Sequence, residues 1–193
     1  MDDNQNCETF IFLSSNKLVI SIYSELNKRI YKNEISFEED IDVLKALEKL
    51  DYFLDKEIFK IEKKIKNFVK KVNIILDLNV FFSVEISIKD INNDDNINKK
   101  NLNYLLYEAK DYCKKTIGDR KISHMIINSY HIDNRNYSFF PKDISGKNFS
   151  LDLNFICISK NLIKSFEKVL KKYQISIGKI VDKRYISKFL NED

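Results

Sequence analysis

Residues 119–153 read DRKISHMIINSYHID, then NRNYSFFPKDISGKN, then FSLDL, and they hold the only proline, Pro141, and one of the three glycines, Gly146, five positions apart. In a chain so poor in both residues, this spacing predicts a shaped turn joining two strands. Proline fixes its own φ, and glycine is free to take φ > 0. On one side Ile122, His124 and Ile126 alternate with Ser123, Met125 and Ile127; on the other Phe149, Leu151 and Leu153 alternate with Ser150, Asp152 and Asn154. A period of two predicts half-buried strands on both sides.

The order of these residues resembles the subdomain inserted into FtsA, the actin-like cell-division protein of bacteria. Asp119-Arg120, Ile122, His124, Ile126, Tyr130 and Asp133 follow that family's D-R-x-I-x-H-x-I…Y-x-x-D, and Pro141, Ser145, Gly146 and Leu151 follow its P…S-G…L turn. With the flanking helices the match runs from about Ile97 to Val181.

The 193 residues suffice for one domain or two small lobes, burying roughly 70% of the unfolded surface. With 44% apolar and 32% charged residues, disorder is excluded, and no apolar run approaches the roughly 20 residues of a bilayer crossing. The start, MDDNQNCETF, is acidic and lacks the pattern of a signal peptide. Cys7, Cys113 and Cys157 share no close spacing, so no disulfide framework or CxxC site is written, and a reducing cytoplasm fits. Cys113 and Cys157, in an expected helix and strand, read as small buried thiols. The wealth of Lys, Ile and Asn agrees with an AT-rich genome.

Three strands open the chain, Thr9–Ser14, Lys17–Glu25 and Lys28–Ile35, joined by short polar turns as a meander. A helical stripe follows at Ile41, Leu44, Leu47, Leu50, Leu54, Ile58, Ile61, Ile65, Phe68 and Val72, as one helix or two broken near Asp55. Residues 34–55 carry eight acids against two lysines, and residues 56–71 seven lysines against Glu57 and Glu62, a polarity that complements the helix macrodipole. Strands are expected at Val72–Leu78 and Val80–Ile88. A polar loop, Asp90–Asn98, then leads to a helix, Lys99–Thr116, with Leu102, Leu105, Leu106, Ala109 and Tyr112 on one side and Gly118 ending it. After the two strands of the opening stretch, Ser159 or Asn161 caps a helix carrying Leu162, Phe166, Val169, Leu170 and Tyr173. A last strand, Ile177–Asp182, leads into a short tail.

The expected fold class is α+β: a partial actin-like (ribonuclease H-like) lobe with an inserted strand-helix-strand-strand subdomain. It divides as 1–79 for the partial lobe, 80–173 for the insert with its following helix, and 174–193 for the return strand and tail. The second half of the FtsA body has no counterpart up to Asp193.

The chemistry of nucleotide sites is missing. The FtsA-like first phosphate loop reads approximately D-x-G-S-S-K, and the matching stretch here is Phe12-Leu13-Ser14-Ser15-Asn16-Lys17. Phe12 replaces the acid and Ser14 the glycine that lets backbone amides approach phosphate. No glycine precedes Gly118, so no glycine-rich cradle exists in the first half. Asp90-Ile91-Asn92-Asn93-Asp94-Asp95 resembles the opening of a calcium loop, but Asp95 stands where glycine is needed and Asn101 where glutamate is needed. His124, His131 and Asp133 suggest a metal site, yet two histidines seven apart face opposite sides of a continuous strand. No nucleophile motif or paired-carboxylate helix occurs.

The expectation is therefore no catalytic, cofactor-binding or metal-ligating residue, no cofactor and no small-molecule substrate. The FtsA resemblance implies a non-catalytic cell-division scaffold or adaptor in the cytoplasm, recruited to the division site, with division proteins or further copies of itself as partners. Pro141, Lys142, Asp143, Ile144, Ser145 and Gly146 are the expected protein-contact residues. Two rivals are an actin-like scaffold of pilus or secretion assembly, and a nucleic-acid-binding module using the basic stretch 160–188; a decayed remnant is a third. That stretch holds nine Lys or Arg against Glu167 and Asp182, but its few aromatics, Phe166, Tyr173 and Tyr185, disfavour nucleic acid.

Overall fold

A computed structural model describes residues 7–91, 96–141 and 144–190. The chain forms two compact units: one runs to Val80 and resumes at Asn161, the other is Phe81–Lys160.

The first unit opens with the expected meander. Strands β1 (Glu8–Ser14), β2 (Lys17–Tyr23) and β3 (Arg29–Ser36) pair antiparallel in sequence order. Helix α1 (Val43–Ile65) then crosses so that β4 (Lys71–Asp77) pairs parallel to β1, Thr9 facing Val72 and Leu13 facing Leu76. Parallel pairing needs such a crossover. Asp42 starts α1, its Oδ1 accepting the backbone N–H groups of Leu44 and Lys45 at 3.0 and 2.9 Å. The expected acidic opening lies before the helix, whose first turn has no acid, while Lys63 and Lys64 occupy the last turn as expected. The helix is unbroken at Asp55 and stops at Lys66, which takes a left-handed φ of 54°. The stripe read through Phe68 and Val72 is thereby corrected: Phe68 is exposed beyond the helix and Val72 is buried in β4.

Ala46, Leu47, Leu50, Phe53, Leu54, Ile58 and Ile61 are the buried face of α1. Leu54, Ile58 and Ile61 share a sliver of space with Ile11, Ile20 and Val72, so the helix covers the sheet face to which β1, β2 and β4 send those residues. The sheet order is β11-β4-β1-β2-β3, where β11 (Ser176–Asp182) returns from the far end of the chain to pair parallel with β4. Before β11 comes helix α3 (Lys160–Lys171), with Phe166 and Leu170 fully buried. Tyr173, just past it, donates its hydroxyl to the Asp51 backbone carbonyl at 2.9 Å and carboxylate at 3.0 Å, and Lys172 pairs with the same carboxylate. Most of α3 groups with the first unit rather than with the insert. The expected tail is a helix, α4 (Lys183–Leu190), started by the buried Asp182, whose Oδ1 accepts the Arg184 N–H at 2.9 Å.

The second unit is a four-stranded sheet with one helix on it. Its order is β5-β10-β7-β8: β5 (Phe81–Ile91), β10 (Asn148–Ser159), β7 (Arg120–Ile132) and β8 (Arg135–Tyr137). Two-residue strands β6 (Asn96–Ile97) and β9 (Ile144–Ser145) pair separately. Helix α2 (Lys99–Thr116) has the expected bounds. Asn98 and Asn101 form a reciprocal cap at its start, and Gly118, with φ 58°, follows its end. Its buried side is Leu105, Ala109 and Cys113; Tyr112, expected there, is 57% exposed. Phe149, Leu151, Leu153, Phe155 and Cys157 of β10 complete this core. Burial, and then the neighbouring Cys113, push the Cys157 thiol up to about 12, as fits the buried, unreactive thiol expected there.

Strand β7 departs from plain alternation. Against β10, Ile122 faces Cys157 but His124 faces Ile156, and Ile127 faces Leu153 but Ser129 faces Asp152, so Ser123 and Asn128 are bulged out. Each bulge flips the faces that follow it, and the core side becomes Ile122, Met125, Ile127, Tyr130 and Ile132.

The Pro141–Gly146 segment is also not the simple turn expected. Between β7 and β10 the chain first makes the β7–β8 hairpin, with Asp133 at φ 49°, and then β9. Gly146 is buried, and its φ is not positive. A Cβ there would lie 2.5 Å from Ile132 Cγ2, so close approach is what requires glycine. Gly146→Ala should lower stability in urea by about 1–3 kcal/mol, the usual cost of overpacking. Gly118→Ala, with open space around it but a left-handed φ, should cost only about 1 kcal/mol.

Candidate protein-contact surfaces

The expected contact residues divide on the structure. Pro141 is half-buried, Ser145 is exposed and Gly146 is buried, while Lys142 and Asp143 lie outside the described residues. Ile144 and Ser145 are already paired through their backbones to Ile97 and Asn96 in β6. Ile144 and Ser145 thus belong to a small two-stranded sheet of their own.

At the position of the FtsA-like phosphate loop, β1 and β2 are joined by Ser15-Asn16. The Ser14 hydroxyl accepts the Lys17 N–H at 3.1 Å and donates to Asn16 Oδ1 at 2.8 Å. The next segment straps the turn: Phe37 and Ile41 donate their N–H groups to the carbonyls of Asn16 and Ser15, and Ser15 Oγ donates to Asp40 at 2.7 Å. The turn has no residue of positive φ and directs its polar groups into itself. That is the opposite of an open amide nest waiting for phosphate.

The polar face of the second unit's sheet carries a hydrogen-bonded cluster. His131 Nε2 lies 2.6 Å from Asp152 Oδ2 and 2.9 Å from Ser129 Oγ, and Nδ1 lies 2.6 Å from Asn136 Oδ1. Ser87 donates to Asp152 Oδ1 at 2.6 Å. The residue types are those of a serine triad, but the carboxylate and the hydroxyl meet the same ring nitrogen, so the relay geometry of Ser–His–Asp catalysis is absent. The bulge at Asn128 brings His124 to the same sheet face as His131, correcting the expectation that they oppose. Their partners Ile156 and Ser150 are six residues apart on β10, which separates them by roughly 20 Å. Asp133 is spent on the hairpin, its Oδ1 accepting the Asn148 backbone N–H at 3.0 Å. Among the described residues no group of three or more His, Cys, Asp or Glu could hold a metal, and the Asp90–Asp95 stretch lies largely outside them.

Sequence reasoning missed the outer face of the first unit's sheet. Phe10, Phe12, Val19, Tyr23 and Ile75, with Ile186 of α4, line a groove of about 420 Å³, and the Nζ atoms of Lys17 and Lys183 sit 5.8 and 5.5 Å from the Phe12 ring centre. The signal was present in β1, where Phe10-Ile11-Phe12-Leu13 is apolar on both faces and therefore calls for cover on both. Also exposed are Tyr104, Tyr107 and Tyr112 on α2. Strand β5 is an outer strand of its sheet, bonded to β10 along its whole length on one edge. Of the nine cations in the basic stretch 160–188, four make ion pairs: Lys160 with Asp119, Lys172 with Asp51, Lys183 with Asp77 and Arg184 with Asp182. No helix among the described residues is long and apolar enough to cross a membrane.

No protein-family model and no curated protein matches the sequence. Among solved structures, a chain of the PilM–PilN type IV pilus biogenesis complex is similar over 94% of this chain and 49% of its own, with 7% identity and a TM-score of 0.53. A Bacteroides thetaiotaomicron VPI-5482 protein with an actin-like ATPase fold and unknown function is similar over 98% of this chain and 58% of its own, with 16% identity; its TM-score of 0.38 is too low to argue from. The chain thus spans about half the length of the solved chains it matches. The first likeness shows the fold alone and supports the partial actin-like architecture expected from the sequence.

The His131–Asp152 contact has a measurable signature. Asp152 first, then Asn136, hold His131 above its ordinary value, while Ser87, then His131 and Ser129, draw Asp152 down to about 2. A raised histidine stabilises fully below its unfolded value near 6.5 and loses that effect as pH rises through its folded value; a lowered carboxylate stabilises above about 4 and loses it as pH falls toward 2. The pair's contribution is therefore greatest between about pH 4 and 6.5. An NMR titration should place His131 above 6.5, and Asp152→Asn should return it toward about 6.5.

Proposed function

We propose that this chain is a non-catalytic scaffold of bacterial assembly, working through protein–protein contacts on a partial actin-like lobe and its inserted subdomain. The observation that carries the proposal is the pairing of this fold with a closed β1–β2 turn. The architecture is retained, but the turn matching the phosphate loop has no glycine, and its polar groups bond to one another. A body of this kind without a nucleotide site has its surfaces left to work with. Those surfaces are the groove on the first sheet, the tyrosines of α2 and the outer edge of β5. Of the three aromatics in residues 160–188, Phe166 is buried and the Tyr173 hydroxyl is bonded to Asp51, which weighs against a nucleic-acid module that stacks bases on that stretch.

The resemblance of residues 119–153 to FtsA favours a role in cell division, in the cytoplasm and at the division site. A second reading, a scaffold of pilus or secretion assembly, is favoured by the structural likeness to a chain of the PilM–PilN complex. Affinity purification of the tagged chain from its native cell, read by mass spectrometry, decides between them. Division proteins are expected. Pilus or secretion proteins would select the second reading, and ribosomal or nucleoid components alone would overturn both. Titration calorimetry should detect no ATP binding; micromolar affinity would contradict the closed-turn reading.

A further inference from the structure

Strand β5 carries an unusual pattern on its outer edge. Its residues alternate between two faces of the sheet: Val84, Ile86 and Ile88 pack toward the core, while Glu85, Ser87 and Lys89 lie on the polar face. Across the ladder to β10, Glu85 faces Asn154 and Lys89 faces Ser150, both neutral. Neither Glu85 nor Lys89 makes an ion pair among the described residues, and four apart on a strand, roughly 13 Å, they are out of reach of each other. On the other outer strand with such a pattern, β3, Lys32 and Glu34 are already bonded to each other at 2.8 Å.

Turned about a two-fold axis through Ser87, β5 is complementary to itself. Antiparallel pairing in that register sets Ser87 opposite Ser87 of a second copy, Glu85 opposite its Lys89, Ile86 opposite its Ile88, and Val84 opposite its Asp90. Both ion pairs form on the polar face and both isoleucine pairs on the core face. Opposite charges and apolar pairs directly across an antiparallel ladder are each favourable, and a two-fold interface requires this self-complementarity. A ladder of this length is small for a stable interface. Helix α2 packs on β5, and its Tyr104 is half-exposed. Tyrosine is the residue type that interfaces enrich.

We propose that the chain self-associates through β5, joining two four-stranded sheets into one continuous eight-stranded sheet, with Glu85 and Lys89 as the residues that fix the register. The inference deepens the reading of the chain as a contact protein by naming one partner, a second copy. The occupant is a copy rather than an unrelated strand because the charge order Glu85–Lys89 is answered by its own reverse.

Sedimentation equilibrium on the full chain, from micromolar to near-millimolar, tests it. A concentration-dependent dimer is expected. Glu85→Lys or Lys89→Glu alone, each creating two like-charge pairs across the axis, should weaken the dimer by about tenfold. The double exchange Glu85→Lys/Lys89→Glu restores both pairs and should restore the dimer, which a defect in folding or in net charge would not do. In a Cys7→Ser background, Ser87→Cys should cross-link two copies under mild oxidation. A monomer throughout, or a dimer indifferent to both single reversals, overturns the proposal. A monomer that still retrieves division or pilus proteins removes the β5 pairing and leaves the scaffold reading standing. A dimer that obeys the charge exchange but retrieves only ribosomal components does the reverse.

Discussion

The parallel ladder that holds β4 between β1 and β11 is the constraint on which the rest of the chain depends. Parallel neighbours cannot be joined by a tight turn, so each pairing commits the chain to a crossover. The first crossover is α1, and its length and apolar stripe follow from having to return across the sheet while covering one face. The second crossover, from β4 to β11, carries all of the second unit and α3 in its course. The insert is thus an excursion from a sheet whose registry is set on both sides of it. Gly178 marks how tightly that registry is drawn: a Cβ there would lie 2.5 Å from Asn73 Oδ1, at the irregularity between Ile177 and Ile180.

Much of this was legible from periodicity wherever a strand runs uninterrupted. Along most of β5 and β10 a single alternation holds, and the residues it assigned to the core, Phe149, Leu151 and Leu153, are buried. Strand β7 defeats the same reading because its two bulges are invisible to a period-two count, and they decide which face His124 shows. The helix–strand boundary after α1 was blurred because Phe68 and Val72 continue the helical spacing by coincidence; the left-handed residue that ends the helix is a lysine, which carries no such signal. Helix α4 escaped because eight residues offer too few repeats, although Asp182 is a good cap. Tyr112 was misplaced for a simpler reason: its bulk suggested the interior, while the helix angle turns it outward beside Cys113, which is buried as expected.

The surfaces fared differently from the core. Pro141 and Gly146 drew attention as composition outliers, and the structure uses Gly146 for close packing under Ile132. The double-sided apolar character of β1 was written in Phe10-Ile11-Phe12-Leu13 but went unread, and it leaves Phe10 and Phe12 half-buried on the face away from α1. In the β1–β2 turn the Ser14 hydroxyl supplies an internal acceptor, and the Lys17 backbone donor turns to it.

The placement of β11 also governs the order in which the molecule can be completed during synthesis. By the time Asp77 leaves the ribosome, β1 to β4 and α1 can assemble, but the outer edge of β4 stays unoccupied until Ser176 follows about a hundred residues later. At about 5–20 residues per second that interval lasts on the order of 5–20 seconds. During it the nascent first unit presents a raw strand edge, and the inserted unit has time to reach its own native pairing before the closing strand arrives.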